Sequence, residues 1–250
     1  MEMNGNRYGS AVINGSGQLA GGMYEDVKIS GSGVIDGNID ARDVKVSGSA
    51  KFKGNVVSRS IKVSGSASIY GKIETDDCSF SGSGDVSGEL QASVLKTSGS
   101  LRCRGGIRAQ EVSINGSLRS YGDVETESLD VSGSFRIDGL LNASRIDIEV
   151  GGHCSAREIG CDRMRVVTTP MSLFWKAFSW LSETLGVGKR GALTAEVIEG
   201  TELDLNLTRA RIVRGNRVRI GPGCAVDLVE YTEEAFVDDD ASVGEVRRLS

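Results

Sequence analysis

The chain has little of what a globular enzyme usually relies on. Of its 250 residues only 5% are aromatic, and it holds 2 prolines and a single histidine, His153. Large rings carry much of the packing in a wide core, so a broad globular interior is disfavoured. One histidine excludes a three-histidine metal site within one chain. No stretch approaches the ~20 apolar residues of a membrane-crossing helix. The start, Met1-Glu2-Met3-Asn4, is polar and lacks the apolar run of a secretory leader. The cysteines (Cys78, Cys103, Cys154, Cys161, Cys224) are odd in number and irregularly spaced. That pattern reads as free thiols in a reducing compartment, so a cytoplasmic location is expected. A formal net charge of -5 gives no ground for nucleic acid as a partner, whose readers carry a basic patch. No G-x-x-x-x-G-K-[ST] loop is present to hold a nucleotide, and no cofactor is expected.

Glycine, by contrast, is abundant at 34 residues, and its placement decides the fold. In blocks of 17 the chain falls into register: Val27–Asp43 reads VKISGSGVIDGNIDARD, Val44–Ser60 reads VKVSGSAKFKGNVVSRS, and Ile61–Asp77 reads IKVSGSASIYGKIETDD. Further blocks start at Cys78, Leu95, Val112 and Leu129, and a copy one residue shorter runs from Ala11 to Asp26. One glycine column holds Gly31, Gly48, Gly65, Gly82, Gly99, Gly116 and Gly133, with Gly15 in the short copy. The other holds Gly37, Gly54, Gly71, Gly88, Gly105, Gly122 and Gly139, with Gly21 in the short copy. Within a block, positions 1, 3, 7, 9, 13 and 15 are apolar or small, and even positions are polar. Period-2 alternation means extended backbone with one face buried. The glycines mark two corners, where a side chain would have to enter a bend, and paired polar residues such as Arg42-Asp43 mark a third. Such a block is too short for a strand plus a crossover helix, so each block must pair with the next. The expected fold is all-β: a parallel β-helix solenoid of about 17 residues per coil. Its first eight coils, stacked ~4.8 Å apart, would make a rod roughly 40 Å long.

The pattern then breaks. The block from Ile146 has Val150 and Ala156 where glycines stood. Pro170–Gly186 is helical in character: Thr168-Thr169-Pro170 is an N-terminal signal, and Phe174, Phe178, Leu181 and Leu185 form one stripe, with Trp175 beside it. Alternation returns at Leu203, Leu205 and Leu207, and a short strand is expected around Val243–Val246. The organisation read from the chain is an N-terminal arm (1–10), the main β-helix (11–169), an inserted amphipathic helix (170–188), further coils (189–237) and an acidic, then mixed tail (238–250). The stripe is read first as packing on the β-helix and second as a shallow membrane contact, since Trp175 and Trp180 favour interfaces.

Chemistry finds no foothold. His153, Cys154 and Cys161 do not have the spacing of a zinc site, and the regular blocks lack the side loops on which catalytic carboxylates would sit. Neither a catalytic nor a metal site is expected. The column Lys28, Lys45, Lys62, Lys96 reads first as a solvated face and second as a patch for a membrane or an acidic partner.

The glycine-punctuated coil with its Val-Ser-Gly-Ser runs (Val46–Ser49, Val63–Ser66, Val131–Ser134) resembles the bactofilins, bacterial polymer-forming cytoskeletal proteins. That resemblance implies a right-handed β-helix that polymerises end to end without nucleotide. It also implies a non-enzymatic scaffold at the inner face of the cell membrane, with envelope or motility proteins as partners. The chain departs from it in the inserted helix and in lacking a short apolar N-terminal motif. A monomeric binding module that recruits a protein through its flat faces or its helix is the alternative.

Overall fold

The computed structural model of the chain describes residues 9–167 and 192–249, and the chain divides into two compact units, Met1–Glu127 and Ser128–Ser250. Every described element is a strand, and the strands pair in parallel from coil to coil. Both units are built as a parallel β-solenoid, as the 17-residue alternation requires.

The first unit opens with β1 (Ala11–Ile13), β2 (Ser16–Ile29) and β3 (Ser32–Val46). Short and long strands then alternate: β4 (Ser49–Phe52), β5 (Val56–Val63), β6 (Ser66–Ile69), β7 (Ile73–Phe80), β8 (Ser83–Val86), β9 (Leu90–Thr97), β10 (Ser100–Cys103), β11 (Ile107–Ile114) and β12 (Ser117–Ser120). Short strands stack on short, with Ser49↔Ser66, Ser66↔Ser83, Ser83↔Ser100 and Ser100↔Ser117. Long strands stack on long, with Val56↔Ile73, Ile73↔Leu90 and Leu90↔Ile107. The short first copy pairs Ala11 with Val27, and the missing residue is absorbed by a register shift between Ala20 and Gly22.

Each long strand runs straight through the third corner. In β5, Arg59 is exposed and Ser60 half-buried between the buried Ser58 and Ile61, so the coil bends there without releasing its hydrogen-bond ladder. From β4 to β13 two breaks per coil, not three, are therefore visible, and both fall at the glycines, while β2, β3 and β14 also run on through Gly21, Gly37 and Gly139.

The inward positions form columns. Val27, Val44, Ile61, Cys78, Leu95 and Val112 share one and are each at most 3% exposed. Phe52 and Phe80 fill the axis among the largest buried side chains. Full burial of such a residue stabilises by ~1.5–3 kcal/mol, and every coil repeats it. Several buried hydroxyls are satisfied within the stack, as where Ser58 Oγ donates to Thr75 Oγ1 at 3.2 Å, whereas Thr97 Oγ1 is buried without a partner among the described residues.

β13 (Val124–Val131) leads the chain into the second unit, which holds β14 (Ser134–Glu149), β15 (Cys154–Val167), β16 (Leu193–Leu205), β17 (Thr208–Ile220), β18 (Ala225–Val237) and β19 (Ser242–Arg248). The coil length varies here. Phe135 pairs with Cys154 and Ile137 with Ala156, so the corner Val150–His153 carries two residues more than the 17-residue count allots. Ala156, which that count puts at a corner, is an inward strand residue only 6% exposed. The extra residues include Gly151 and Gly152, so the corner lengthened rather than losing its glycines. Between β16 and β17 the coil shortens, with Leu193 opposite Thr208. The strand expected around Val243–Val246 is β19, stacked on Ala225–Tyr231.

The place of the insertion is fixed by its flanks. Val150 N–H donates to Val167 O at 2.9 Å and Cys154 N–H to Ala192 O at 3.0 Å. Val167 and Ala192, the described residues on either side of 168–191, thus both pair with the corner that Gly151-Gly152-His153 turn in the coil before. The expected helix at 170–188, with Phe174, Trp175, Phe178, Leu181 and Leu185, lies outside the described residues.

Candidate functional site

Stacked coils create three recurring surfaces: the glycine corners, the outer side-chain ladders and the strand edges. At the first corner, consecutive coils approach too closely for a side chain. A Cβ added at Gly82 would lie 2.5 Å from Ser64 O and closer still to Gly65 O, both backbone atoms of the preceding coil. Gly48, Gly65, Gly99 and Gly116 repeat this geometry with the coil before each. The obstacle is therefore the neighbouring coil's backbone rather than the core. Gly15 heads the same column, and nothing lies within 4 Å of a Cβ built there. At the second corner Gly37 has φ +113, a backbone conformation that L side chains rarely adopt. Asn38 and Asn55 add a side-chain ladder there: Asn55 N–H donates to Asn38 Oδ1 at 2.8 Å, and Lys72 N–H to Asn55 Oδ1 at 2.9 Å.

Several outward positions on neighbouring coils carry opposite charges, although like charges also stack, as at Asp26 on Asp43 and Arg102 on Arg119. Arg42 donates to Glu25 at 2.9 Å and Asp26 at 3.1 Å, and Arg108 bridges Glu89 and Glu125. From β16 to β18 the alternation extends to whole coils. Leu193–Leu205 carries Glu196, Glu199, Glu202 and Asp204 with no base, and Thr208–Ile220 carries Arg209, Arg211, Arg214, Arg217 and Arg219 with no acid. From Ile220 to Val246 there are again only acids. Glu199, Arg214, Glu230 and Arg247 stack in register, with Arg214 Nη2 2.8 Å from Glu230 and Arg247 Nη1 3.5 Å from it. Glu202 lies between Arg163, at 2.9 Å, and Arg217. The hydrogen bond from Arg163 and both arginine charges hold its carboxyl below the usual range. This coil-by-coil sign change is legible in the sequence as the charge of whole coils rather than as a motif.

The thiols are set against reactivity. Burial pushes Cys78 up to about 12 and Cys103 and Cys154 up to about 11, so they stay protonated at neutral pH. Cys161 is raised to about 12 by burial and by the Asp162 charge. Among the described residues no group of three His, Cys, Asp or Glu side chains is placed to hold a metal, and no helix is long and apolar enough to cross a membrane.

The strand edges complete the inventory. β1 pairs with β2 on one side, and among the described residues no strand lies against the other. Ala11, Ile13 and Leu19, the inward residues of that coil, are consequently half-exposed. In the second unit β19 covers only Ala225–Tyr231 of β18, and Phe236 stands 52% exposed beyond it.

Residues 1–91 match a family described as Bactofilin: Polymer-forming cytoskeletal, the family that the repeat resembles. Uncharacterized protein YhbE of Bacillus subtilis (strain 168) is 39% identical over 105 residues, covering 42% of this chain and 40% of YhbE. Uncharacterized protein YhbF of the same strain is 41% identical over 61 residues, 24% of this chain and 26% of YhbF. The matched stretches thus span less than half of either relative. No solved structure matches the chain.

Proposed function

We propose that this chain is a non-enzymatic cytoskeletal scaffold that self-assembles end to end, without nucleotide, at the inner face of the cell membrane. The match to a polymer-forming family carries this reading. The open edge of the first coil supports it physically. A solenoid coil satisfies its backbone through its neighbours, and an uncovered parallel edge is a template for another strand. Ala11, Ile13 and Leu19 would gain on that edge the burial that Val27, Ile29 and Ile35 already have within the stack. Envelope or motility proteins would dock on such a polymer, and the stripe Phe174, Phe178, Leu181, Leu185 would supply the membrane contact.

Gly15 supplies the test. Inside the stack Gly31, Gly48, Gly65, Gly82, Gly99 and Gly116 are each forced by the coil before them, whereas among the described residues nothing lies beside a Cβ at Gly15. If another copy stacks on that edge, Gly15 comes under the same constraint. Gly15→Val is expected to melt with the wild type yet fail to sediment as a polymer, in the absence and presence of ATP or GTP alike. A variant that polymerises normally would remove the β1 edge from the junction. A concentration-independent monomer for the wild type would overturn the scaffold reading in favour of a binding module.

A further inference from the structure

The tetrapeptide Ile-Asn-Gly-Ser occurs twice, as Ile13-Asn14-Gly15-Ser16 and as Ile114-Asn115-Gly116-Ser117, and each copy turns the first glycine corner of its coil. Both asparagines are exposed. Their backbones are held differently. Asn115 N–H donates to Thr97 O at 2.8 Å, Gly116 N–H to the same oxygen at 3.0 Å, and Ser117 N–H to Gly99 O at 2.8 Å. At the first corner, among the described residues, neither Asn14 N–H nor Gly15 N–H has an acceptor. The carbonyls there face the stack, where Ile13 O accepts from Ser30 N–H at 2.8 Å and Gly15 O from Ser32 N–H at 2.9 Å. One side of this corner is anchored and the other is bare.

An asparagine followed by glycine can react with its own main chain. The glycine nitrogen, once hydroxide has taken its proton, attacks the asparagine Cγ. A C–N bond forms, the bond to the side-chain nitrogen breaks, and ammonia leaves. Water then opens the cyclic imide at either carbonyl, giving aspartate or isoaspartate, and isoaspartate lengthens the main chain by one carbon. Glycine favours the ring closure because it has no Cβ in the way and a permissive backbone. A nitrogen whose proton is held in a hydrogen-bond ladder is protected until the ladder opens locally. Gly116 is in that state and Gly15 is not.

We propose that Asn14 deamidates in the folded chain, that a second copy stacked on the β1 edge shields it, and that its acidic product closes that edge. The deamidation follows from this chain alone, while the shielding and the closure rest on the self-assembly reading above. Any copy that pairs with this corner must bring carbonyl oxygens to Asn14 N–H and Gly15 N–H, as Thr97 O meets Asn115 and Gly116. That puts the Gly15 nitrogen in the protected state of Gly116. An aspartate at this place sets a carboxylate beside the incoming carbonyls, and an isoaspartate also displaces the donors they need. A stacked edge is preserved, and an open one loses its capacity with time.

The experiment compares the two asparagines within one protein. Dilute native protein, pelleted polymer and protein unfolded in urea are held at mildly alkaline pH. The peptides containing Asn14 and Asn115 are then separated and read by mass spectrometry, with isoaspartate methyltransferase labelling. In urea the two should convert at equal rates. In dilute native protein Asn14 should convert at close to its unfolded rate, and Asn115 roughly tenfold or more slowly, since its hydrogen bonds must open first. In the polymer Asn14 should slow toward Asn115. Asn14→Asp should melt with the wild type yet fail to pellet. Asn14→Ser, which supplies the residue that Ser30 places opposite it in the next coil, should pellet and keep doing so after incubation. Equal protection of Asn14 and Asn115 in dilute native protein, or an Asn14→Asp variant that pellets normally, would overturn the proposal. So would pellets in which Asn14 converts as fast as in dilute protein, with polymerisation itself left standing. A wild type that never pellets would overturn the self-assembly reading and, with it, the shielding and the closure.

Discussion

Replacing Gly82 by alanine adds one methyl group to the molecule, and the stack leaves no room for it. The new Cβ would lie 2.5 Å from Ser64 O and 2.8 Å from the Gly65 carbonyl carbon, where ordinary van der Waals contact needs roughly 3.4 Å or more. Neither neighbour is a side chain that can rotate away. Both belong to a coil held by the hydrogen bonds Ser81 N–H to Val63 O at 2.8 Å, Gly82 N–H to Val63 O at 3.1 Å and Ser83 N–H to Gly65 O at 2.8 Å. Separating the coils far enough to admit the methyl stretches all three. At ~0.5–1.5 kcal/mol net for each bond, with strain in addition, the expected loss is about 3–5 kcal/mol, large for a single substitution. Gly15→Ala is the internal control: same column, same Gly-Ser context, nothing within 4 Å. It should stay within about 0.5 kcal/mol of wild type. Denaturant melts of both variants decide the matter. Equal midpoints for Gly82→Ala and wild type would mean that the coils part easily at this corner and that close stacking does not explain the glycine column.

Three further outcomes follow from the side chains. Glu230, with its side chain 9% exposed between Arg214 and Arg247, should cost about 1–3 kcal/mol when changed to Ala; a melt unchanged from wild type would mean that the ladder contributes nothing at its most buried rung. Glu202 has a lowered folded-state pKa, so its contribution is present above the ordinary glutamate range and is lost as pH falls through the lower folded value. The melting temperature should therefore fall with pH in the acid range, and Glu202→Gln should show a smaller fall. Cys78, Cys103 and Cys154 are buried with raised pKa values, so an aromatic disulfide reagent at pH 8 should label them only on unfolding; rapid labelling of all three in the native protein would contradict the buried columns.

How much of this could be read from the chain depended on whether one residue or one pair carried the signal. The inward columns were legible because each inward residue is apolar for its own reason: Val44, Ile61 and Leu95 stand at position 1 wherever 17 is the spacing. The glycine columns were legible as positions but not as causes, because the atom that forbids a side chain at Gly82 belongs to Ser64 and Gly65, one coil away. The third corner was overstated, since two polar residues such as Arg59-Ser60 mark a bend whether or not the strand continues through it. Fixed counting failed at Ile146, where two added residues moved Ala156 from a corner into a strand. A period reports only the average coil, and corners lengthen at little cost when, as at Gly151-Gly152, the added residues face solvent.

The charge ladders were missed for a related reason, and they bear on how the second unit keeps its register once the glycine columns stop. In the first unit, a slip of one or a few residues between coils would put a side chain where Gly65 or Gly82 now stands, so close packing fixes the register. Beyond β14 the coils vary in length, from the extended corner at Val150–His153 to the shortened step from Leu193 to Thr208, and apolar columns alone accept a one-coil slip. Opposite signs on successive coils do not. Moving the arginine coil Thr208–Ile220 by one place would lay it beside like charge or leave Glu202 and Glu230 without partners, and Glu230 is too buried to be left so. Steric exclusion thus sets the register where the repeat is exact, and charge helps to set it where the repeat is loose.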